Sequence, residues 1–370
     1  MFIYQQKDWP AFFWDKVKVL EKLAEVKSTQ GYLLGRMSKL GFELQNQTFL
    51  EVVSENIQKS SEIEGEGLDM GQIRSSIARR LKFDDQSQLN VSRNVEGAVD
   101  IMLDALDNFE KDITKERLFG WHAALFPTGY SGMYKIEVGK FRSDEHGAMQ
   151  IVSGYLGSEK VHYEAPVASN LEREMDSFLQ YANSNSGEID NLIKSAIIHL
   201  WFVILHPFED GNGRIARALS EIFLKRSDRS DIRFYSMSSE LMRVRKEYYE
   251  ILEITQKGSL DITDWIVWFL STLKIAMQNS EGLLNKVCEI SEFWAKHSKL
   301  EFNARQKKIL SMLLNGFKGN LTSSKWAKIC KCSQDTANRD IKDLLFKNIL
   351  RKEGAARAIH YILVEEKFCF

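Results

Sequence analysis

Within twelve residues, His206-Pro207-Phe208-Glu209-Asp210-Gly211-Asn212-Gly213-Arg214-Ile215-Ala216-Arg217, the chain gathers a base, carboxylates, two glycines and two arginines. Gly211, Asn212 and Gly213 can adopt positive or unusual φ at low cost, so consecutive N–H groups can converge on an anion. A helix beginning near Gly213 would add its free N–H groups and the positive end of its dipole at the same point. Arg214 and Arg217, three apart and so neighbours on that first turn, offer guanidinium forks suited to phosphate oxygens. Asp210 is a hard oxygen ligand of the kind Mg²⁺ takes beside substrate phosphates. His206 can be neutral at pH 7 and could accept a proton from an attacking hydroxyl. Pro207 stops the preceding helix at His206, and Phe208 is apolar enough to plug the loop into a core. A glycine-rich loop between helices is ordinarily only a turn, and a single His or Arg signifies little. One loop carrying every part of a phosphoryl or nucleotidyl site points to that chemistry.

Two helices must hold this loop. Leu192 to Leu205 is apolar on nearly every side, as a central buried helix is, and Ala216 to Leu224 continues beyond the loop. His199, seven residues before His206, reads as a hydrogen-bonded core histidine. The whole chain has 370 residues, 44% apolar and 27% charged, with four prolines and many Leu, Lys, Glu and Ala. Those values place it among globular, mainly helical proteins of two to three domains. With 50 basic and 51 acidic residues, overall charge selects no partner, but Asn303 to Leu363 carries thirteen Lys or Arg against four Asp or Glu. Cys288, Cys330, Cys332 and Cys369 lack the spacing of a zinc site or a disulfide framework. Met1 to Trp9 does not read as a signal peptide, and the longest wholly apolar run, Leu200 to Leu205, is too short for a bilayer. A cytoplasmic protein without membrane association is expected.

At His206 to Arg217 the chain resembles the Fic (filamentation induced by cAMP) family, whose signature H-P-F-x-D/E-G-N-G-R-x-x-R is met at every specified position. The resemblance covers roughly residues 49 to 277. It implies a mainly α fold, a Fic-type helical bundle with a short β-hairpin flap. It also implies a protein adenylyltransferase, which moves AMP from ATP to a Ser, Thr or Tyr hydroxyl of a protein target, the chain itself included, with Mg²⁺ bound. His206 then becomes the catalytic base, Asp210 the metal ligand, and Gly211, Asn212, Gly213, Arg214 and Arg217 the nucleotide-binding set. Tyr249 and Gln256 have the spacing of the segment in which an aromatic ring and a side-chain amide surround the adenine; relatives often carry Asn where Gln256 stands.

Upstream, Leu50, Val53, Ile57 and Ile63 form an amphipathic pattern that runs into Ser60-Ser61-Glu62-Ile63-Glu64-Gly65. Taken alone, Glu64 is a helical acid before a glycine stop. Beside the signature, Ser60, Glu64 and Gly65 match the family's inhibitory motif S/T-x-x-x-E-G/N. The resemblance implies that this glutamate pairs with the second signature arginine, here Arg217, and blocks the productive γ-phosphate position. Strand character appears at Met149-Gln150-Ile151-Val152 and Lys160-Val161-His162-Tyr163, with Gly154 to Gly157 available as a turn. The resemblance makes this the flap, which pairs with the target by strand addition.

The expected organisation is therefore a helical segment at 1–48 and a Fic domain at 49–280, with an inhibitory helix near 49–65, a flap near 148–164 and the active-site loop at 206–217. A connecting helix at 281–302 follows. The aromatic opening, with Trp9, Phe12, Phe13 and Trp14, reads as core. Residues 303–370 resemble a winged helix-turn-helix: helices at Arg305 to Leu314, Ser323 to Cys330 and Ser333 to Phe346, then two short strands. The third helix would present Gln334, Thr336, Asn338, Arg339 and Lys342, with Asp335 and Asp340 among them repelling phosphates; DNA or a protein are both open as its partner. Homo-oligomerisation also stays open. The rival readings are a DNA-binding regulator that uses the Fic domain as a nucleotide sensor, and a Fic enzyme that transfers another group or removes AMP.

Overall fold

The computed structural model describes residues 1–38, 40–81, 90–145, 147–153, 160–184, 187–230, 232–314, 316–317, 319–355 and 359–364. The turn expected at Gly154 to Gly157 lies outside the described residues. The fold is mainly helical and divides into two compact units, Met1–Gly282 and Leu283–Phe370.

The first unit opens with helices α1 (Lys16–Met37), α2 (Phe42–Ile63), α3 (Met70–Arg80), α4 (Arg93–Asp107) and α5 (Lys115–Leu125). Two antiparallel hairpins follow, β1 (Tyr130–Ser131) with β2 (Tyr134–Lys135) and β3 (Gln150–Ser153) with β4 (Lys160–Glu164). Helices α6 (Leu171–Asn183), α7 (Asn191–Leu205), α8 (Asn212–Asp228), α9 (Met237–Arg243) and α10 (Arg245–Gln256) follow, and α11 (Thr263–Lys296) begins in this unit and runs past its last residue, Gly282. The helix expected to close the first domain and the connecting helix expected from 281 are one element, α11, because no glycine or proline stop separates Met277 from Glu281. Ser239 to Gln256 is instead broken at Val244, whose φ of −106° and ψ of 31° leave the helical basin. α2 begins at Phe42, seven residues before the start read from the apolar pattern.

Asp190 starts α7 by accepting the Leu192 N–H at 2.9 Å, leaving the apolar residues behind it free to pack. Every residue from Leu192 to Leu205 is buried, and α8 lies against this helix. α2 packs on α3, α4 and α9; Phe49, Val53 and Ile57 meet Ile73, Ile77, Val99, Met102 and Leu106 in one apolar cluster. The aromatic opening, expected as core, packs only in part: Trp9 and Phe12 are half-buried and stand edge-on to Trp201, with centroids 6.0 and 5.5 Å away, whereas Phe13 is 56% exposed. Among the described residues no helix is long and apolar enough to cross a membrane.

The second unit holds α12 (Ala304–Leu314), α13 (Ser323–Cys330) and α14 (Gln334–Phe346), then antiparallel β5 (Leu350–Glu353) and β6 (His360–Leu363). Trp326, Ile341, Leu344 and Leu350 form its core. Asp340, expected on the outer face of α14, is instead 5% exposed and bound by Arg305 at 2.7 Å and Asn303 at 2.8 Å. It falls on the same helical face as Ala337 and Ile341, so the 3.6-residue period turns it inward.

Candidate active site

His206 closes α7 in the left-handed region, φ 48° and ψ 55°, and its N–H bonds Phe202 O at 3.0 Å. That strained end faces the imidazole towards the loop. Nδ1 lies 3.3 Å from Val203 O. A carbonyl can only accept, so Nδ1 carries the proton and Nε2 keeps its lone pair. Burial lowers the His206 pKa to about 4, which holds the ring neutral at pH 7.

The loop is clamped from several sides. Phe208 is fully buried and stacks on His122 with centroids 4.3 Å apart. The Asn212 amide accepts the Phe208 N–H at 3.0 Å and donates to Phe208 O at 2.7 Å. Its side chain therefore shapes the loop, and only its backbone N–H is left for an anion. Gly211 has φ 80°, and a Cβ there would meet the Phe126 ring at 2.9 Å. Arg142, which sequence reasoning missed, is 4% exposed and ties the turn: Nε donates to His206 O at 2.8 Å and its N–H to Pro207 O at 2.9 Å. Asp210 accepts the Gly211 N–H at 2.6 Å through Oδ1 and the Ser131 hydroxyl through Oδ2. The β1–β2 hairpin that carries Ser131 also lay outside the sequence reading.

α8 starts at Asn212, so its first-turn N–H groups lack intrahelical partners and open an anion cradle. Into this cradle comes the end of α2. Gly65, with φ 84°, stops that helix; its N–H bonds Glu62 O and the Glu66 N–H bonds Ser61 O, both at 3.0 Å. This Schellman closure aims Glu64 at α8. Arg217 donates from Nε to Ser60 Oγ at 2.8 Å, and from Nη2 to Ser60 O and to Glu64 Oε1, both at 2.7 Å. A Cβ on Gly213 would fall 2.1 Å from Glu64 Oε1, so the carboxylate lies directly against the first turn. Arg217 is 2% exposed; burial opposes its charge, but the Glu64 carboxylate more than compensates and its pKa is raised. Arg214 lies over the Phe126 ring at 5.0 Å and pairs with Glu66. A cleft of about 560 Å³, within the range of small-molecule sites, is lined by Glu64, Glu66, Asp210, Arg214, Tyr130 and Ser131, among others.

Tyr249 reaches the same region, its hydroxyl donating to Ile63 O at 3.4 Å. Gln256 is 3% exposed and among the described residues its Nε2 has no hydrogen-bond partner, leaving a buried donor for something else. In the second hairpin, Gln150 pairs with Glu164 and Ile151 with Tyr163, with an irregularity between Ile151 and Val152; the Ala165 N–H closes on Met149 O at 2.9 Å. Val152 and Val161 are 48% and 41% exposed. His162 Nδ1 meets Glu253 at 2.8 Å, while Tyr163 is buried and donates to Ile204 O at 2.8 Å. Tyr163 thus fastens the hairpin to the end of α7, and the signal for it was strand alternation.

Residues 112–224 match the Fic/DOC family, and residues 2–83 match a domain of unknown function, DUF4172. The chain is 26% identical over 215 residues to a protein adenylyltransferase Fic from Nematostella vectensis, covering 57% of this chain and 45% of that protein. It is 29% identical over 121 residues to a probable protein adenylyltransferase from Aquifex aeolicus, covering 31% and 34%. The chain thus spans less than half the length of these curated relatives. Its fold resembles that of a Fic family protein from Desulfovibrio desulfuricans, with TM-score 0.54, 19% identity and coverage of 96% of this chain and 99% of the other. A Fic domain containing signaling protein from Bacteroides thetaiotaomicron matches with TM-score 0.51 and 20% identity, over 74% and 97%.

Proposed function

Because this chain belongs to the Fic/DOC family, we propose that it is a protein adenylyltransferase, moving AMP from ATP to a Ser, Thr or Tyr hydroxyl of a protein, and that Glu64 holds it off. The observation that carries this reading is the meeting of a neutral histidine with one free ring nitrogen and an anion cradle at the start of α8.

His206 Nε2 takes the proton of the target hydroxyl as its oxygen attacks the α-phosphorus. The bond from that phosphorus to the bridging oxygen breaks, and pyrophosphate leaves. The first-turn N–H groups of α8 with Arg214 and Arg217 stabilise the charge gathering on the phosphates. Asp210, which shares the cleft wall with Glu64 and Glu66 but pairs with neither signature arginine as closely as they do, fits Mg²⁺, which takes one or two protein carboxylates beside phosphate oxygens and water. Mg²⁺ held there would neutralise phosphate charge. Tyr249 and the free Gln256 amide suit an adenine. The exposed edge of β3 and β4 receives the target strand, His162 and Tyr163 fixing the hairpin behind it. With Glu64 on Arg217, the guanidinium that the terminal phosphate needs is occupied.

The test is incubation of wild type and Glu64→Gly with ATP labelled at the α- or the γ-phosphate. Self-labelling by the α label alone, raised in Glu64→Gly and abolished by His206→Ala, is the expected result. Transfer of the γ label would mean a phosphotransferase instead, and a Glu64→Gly protein no faster than wild type would remove the inhibitory role. The inward turn of Asp340 favours a second reading, a regulator that contacts DNA through α14, whose Gln334, Arg339 and Lys342 are exposed. It predicts salt-sensitive duplex binding by the full chain with no labelled protein.

A further inference from the structure

Gly65 reverses the chain so that the carboxylates on either side of it reach one turn of α8. Glu64 takes Arg217, and Glu66, which lies outside the inhibitory motif, takes Arg214. Glu66 is held on both oxygens, Oε2 by Arg214 Nη1 and Oε1 by the Asn94 amide of α4 at 3.3 Å. Its side chain is 32% exposed on the cleft, whereas that of Arg214 is 10% exposed. The guanidinium stays over Phe126, its Nε has no partner, and its Nη2 is 4.0 Å from Asp210. Arg214 is thus fixed in place with donors to spare, and an arriving phosphate meets Glu66 there.

We propose that Glu66 sets the affinity of the nucleotide site by competing with phosphate for Arg214, independently of Glu64. This rests on the reading of the cleft as a polyphosphate site. The two carboxylates then do different work. Glu64 lies against Gly213 and excludes a phosphate position, while Glu66 leaves the N–H cradle clear and takes charge from one arginine. Its effect should follow the number of phosphates on the ligand and vanish for adenosine.

The experiment is calorimetric titration with Mg²⁺ and an ATP analogue bearing an α,β-methylene link, which binds without transfer. Glu66→Gln keeps the side chain's shape and removes its charge. It should tighten binding roughly fivefold, the worth of a partly exposed charge pair, with adenosine unaffected. In an Arg214→Ala background the same substitution should change nothing, because the competition runs through that arginine. Unchanged or weaker binding in Glu66→Gln, while Glu64→Gly binds the analogue and transfers AMP, overturns the proposal alone. An equal gain with and without Arg214 also overturns it, since the charge would then act at a distance. No binding by any form, with native thermal unfolding, would bring down the polyphosphate reading and the proposal together.

Discussion

The two ends of α8 both carry ion pairs, and they differ in what surrounds them. At the N-terminal end Arg217 meets Glu64 and Arg214 meets Glu66, the acids 30% and 32% exposed on the cleft. At the C-terminal end Glu221 and Asp228 meet Arg233, at 2.5 and 2.6 Å, and all three side chains are 1–2% exposed. There protein groups supply the further bonds to the acids: Asn56 donates to Glu221 at 3.1 Å, and Gln30 and the Tyr235 hydroxyl donate to Asp228 at 2.6 and 2.9 Å, while Arg233 Nε has no hydrogen-bond partner among the described residues. A carboxylate with an open side can be displaced by another anion. One enclosed on every side can only be lost with the fold. Asn56 also shows why the first kind stays in place: it stands on α2, eight residues before Glu64, so α2 is anchored by the buried network. Release of the site then asks only for a side-chain movement at Glu64.

The largest effect expected from this contrast is at Arg233. Arg233→Met leaves Glu221 and Asp228 buried without their cation and should cost roughly 3–5 kcal/mol, read from the urea midpoint without nucleotide. Glu64→Gly should cost less, about 1–2 kcal/mol, because Ser60 still accepts two bonds from Arg217. Here ATP with Mg²⁺ should restore the loss, since a ligand at a hundred times its Kd adds about 2.7 kcal/mol. If Arg233→Met costs no more than Glu64→Gly, the division between replaceable and enclosed charge fails.

The parts of this site that are legible in sequence are those whose residue types are unusual for their place. His206 before Pro207, Gly211 and the glycine after Glu64 mark left-handed backbone that ordinary helix sequence would avoid, and Gly213, inside α8 and without the positive φ expected of it, marks the close approach of Glu64. α7 is legible because a helix apolar on every side can satisfy all its faces only by full burial. Arg142, Ser131, Glu66, Asn94 and Asn56 leave no such mark. Arg142 spends its donors on the carbonyls of His206 and Pro166, and a carbonyl looks the same in every residue. Asn56 and Glu221 meet across 165 positions, which no local period reports. At Asp340 charge argues for the outer face of α14 and helical phase for the inner one; phase decides, because Arg305 and Asn303 meet the carboxylate there.

The same contrast appears on α7 between His199 and His206, and it gives the smallest effect. His199 has no exposure, with Nδ1 on the Ser220 hydroxyl at 2.9 Å and Nε2 on the Tyr248 hydroxyl at 2.8 Å. Ser220 donates onward to Ala216 O at 3.0 Å, so it accepts from Nδ1–H, and Tyr248 donates to Nε2. Both nitrogens are spent on structure. His206 spends one on Val203 O and leaves Nε2, the nitrogen proposed as the base, for another group. Burial lowers the His206 pKa to about 4, so the neutral form, which is the base, persists well below the usual imidazole range. A base titrating at about 6.5 would lose roughly fourfold in rate between pH 8 and pH 6. The acid limb of the Glu64→Gly enzyme should instead lie near its own lowered pKa, and kcat/KM should fall less than twofold over that interval. A midpoint at the ordinary value would mean that the imidazole, which is part-buried where His199 is fully buried, is solvated when it works.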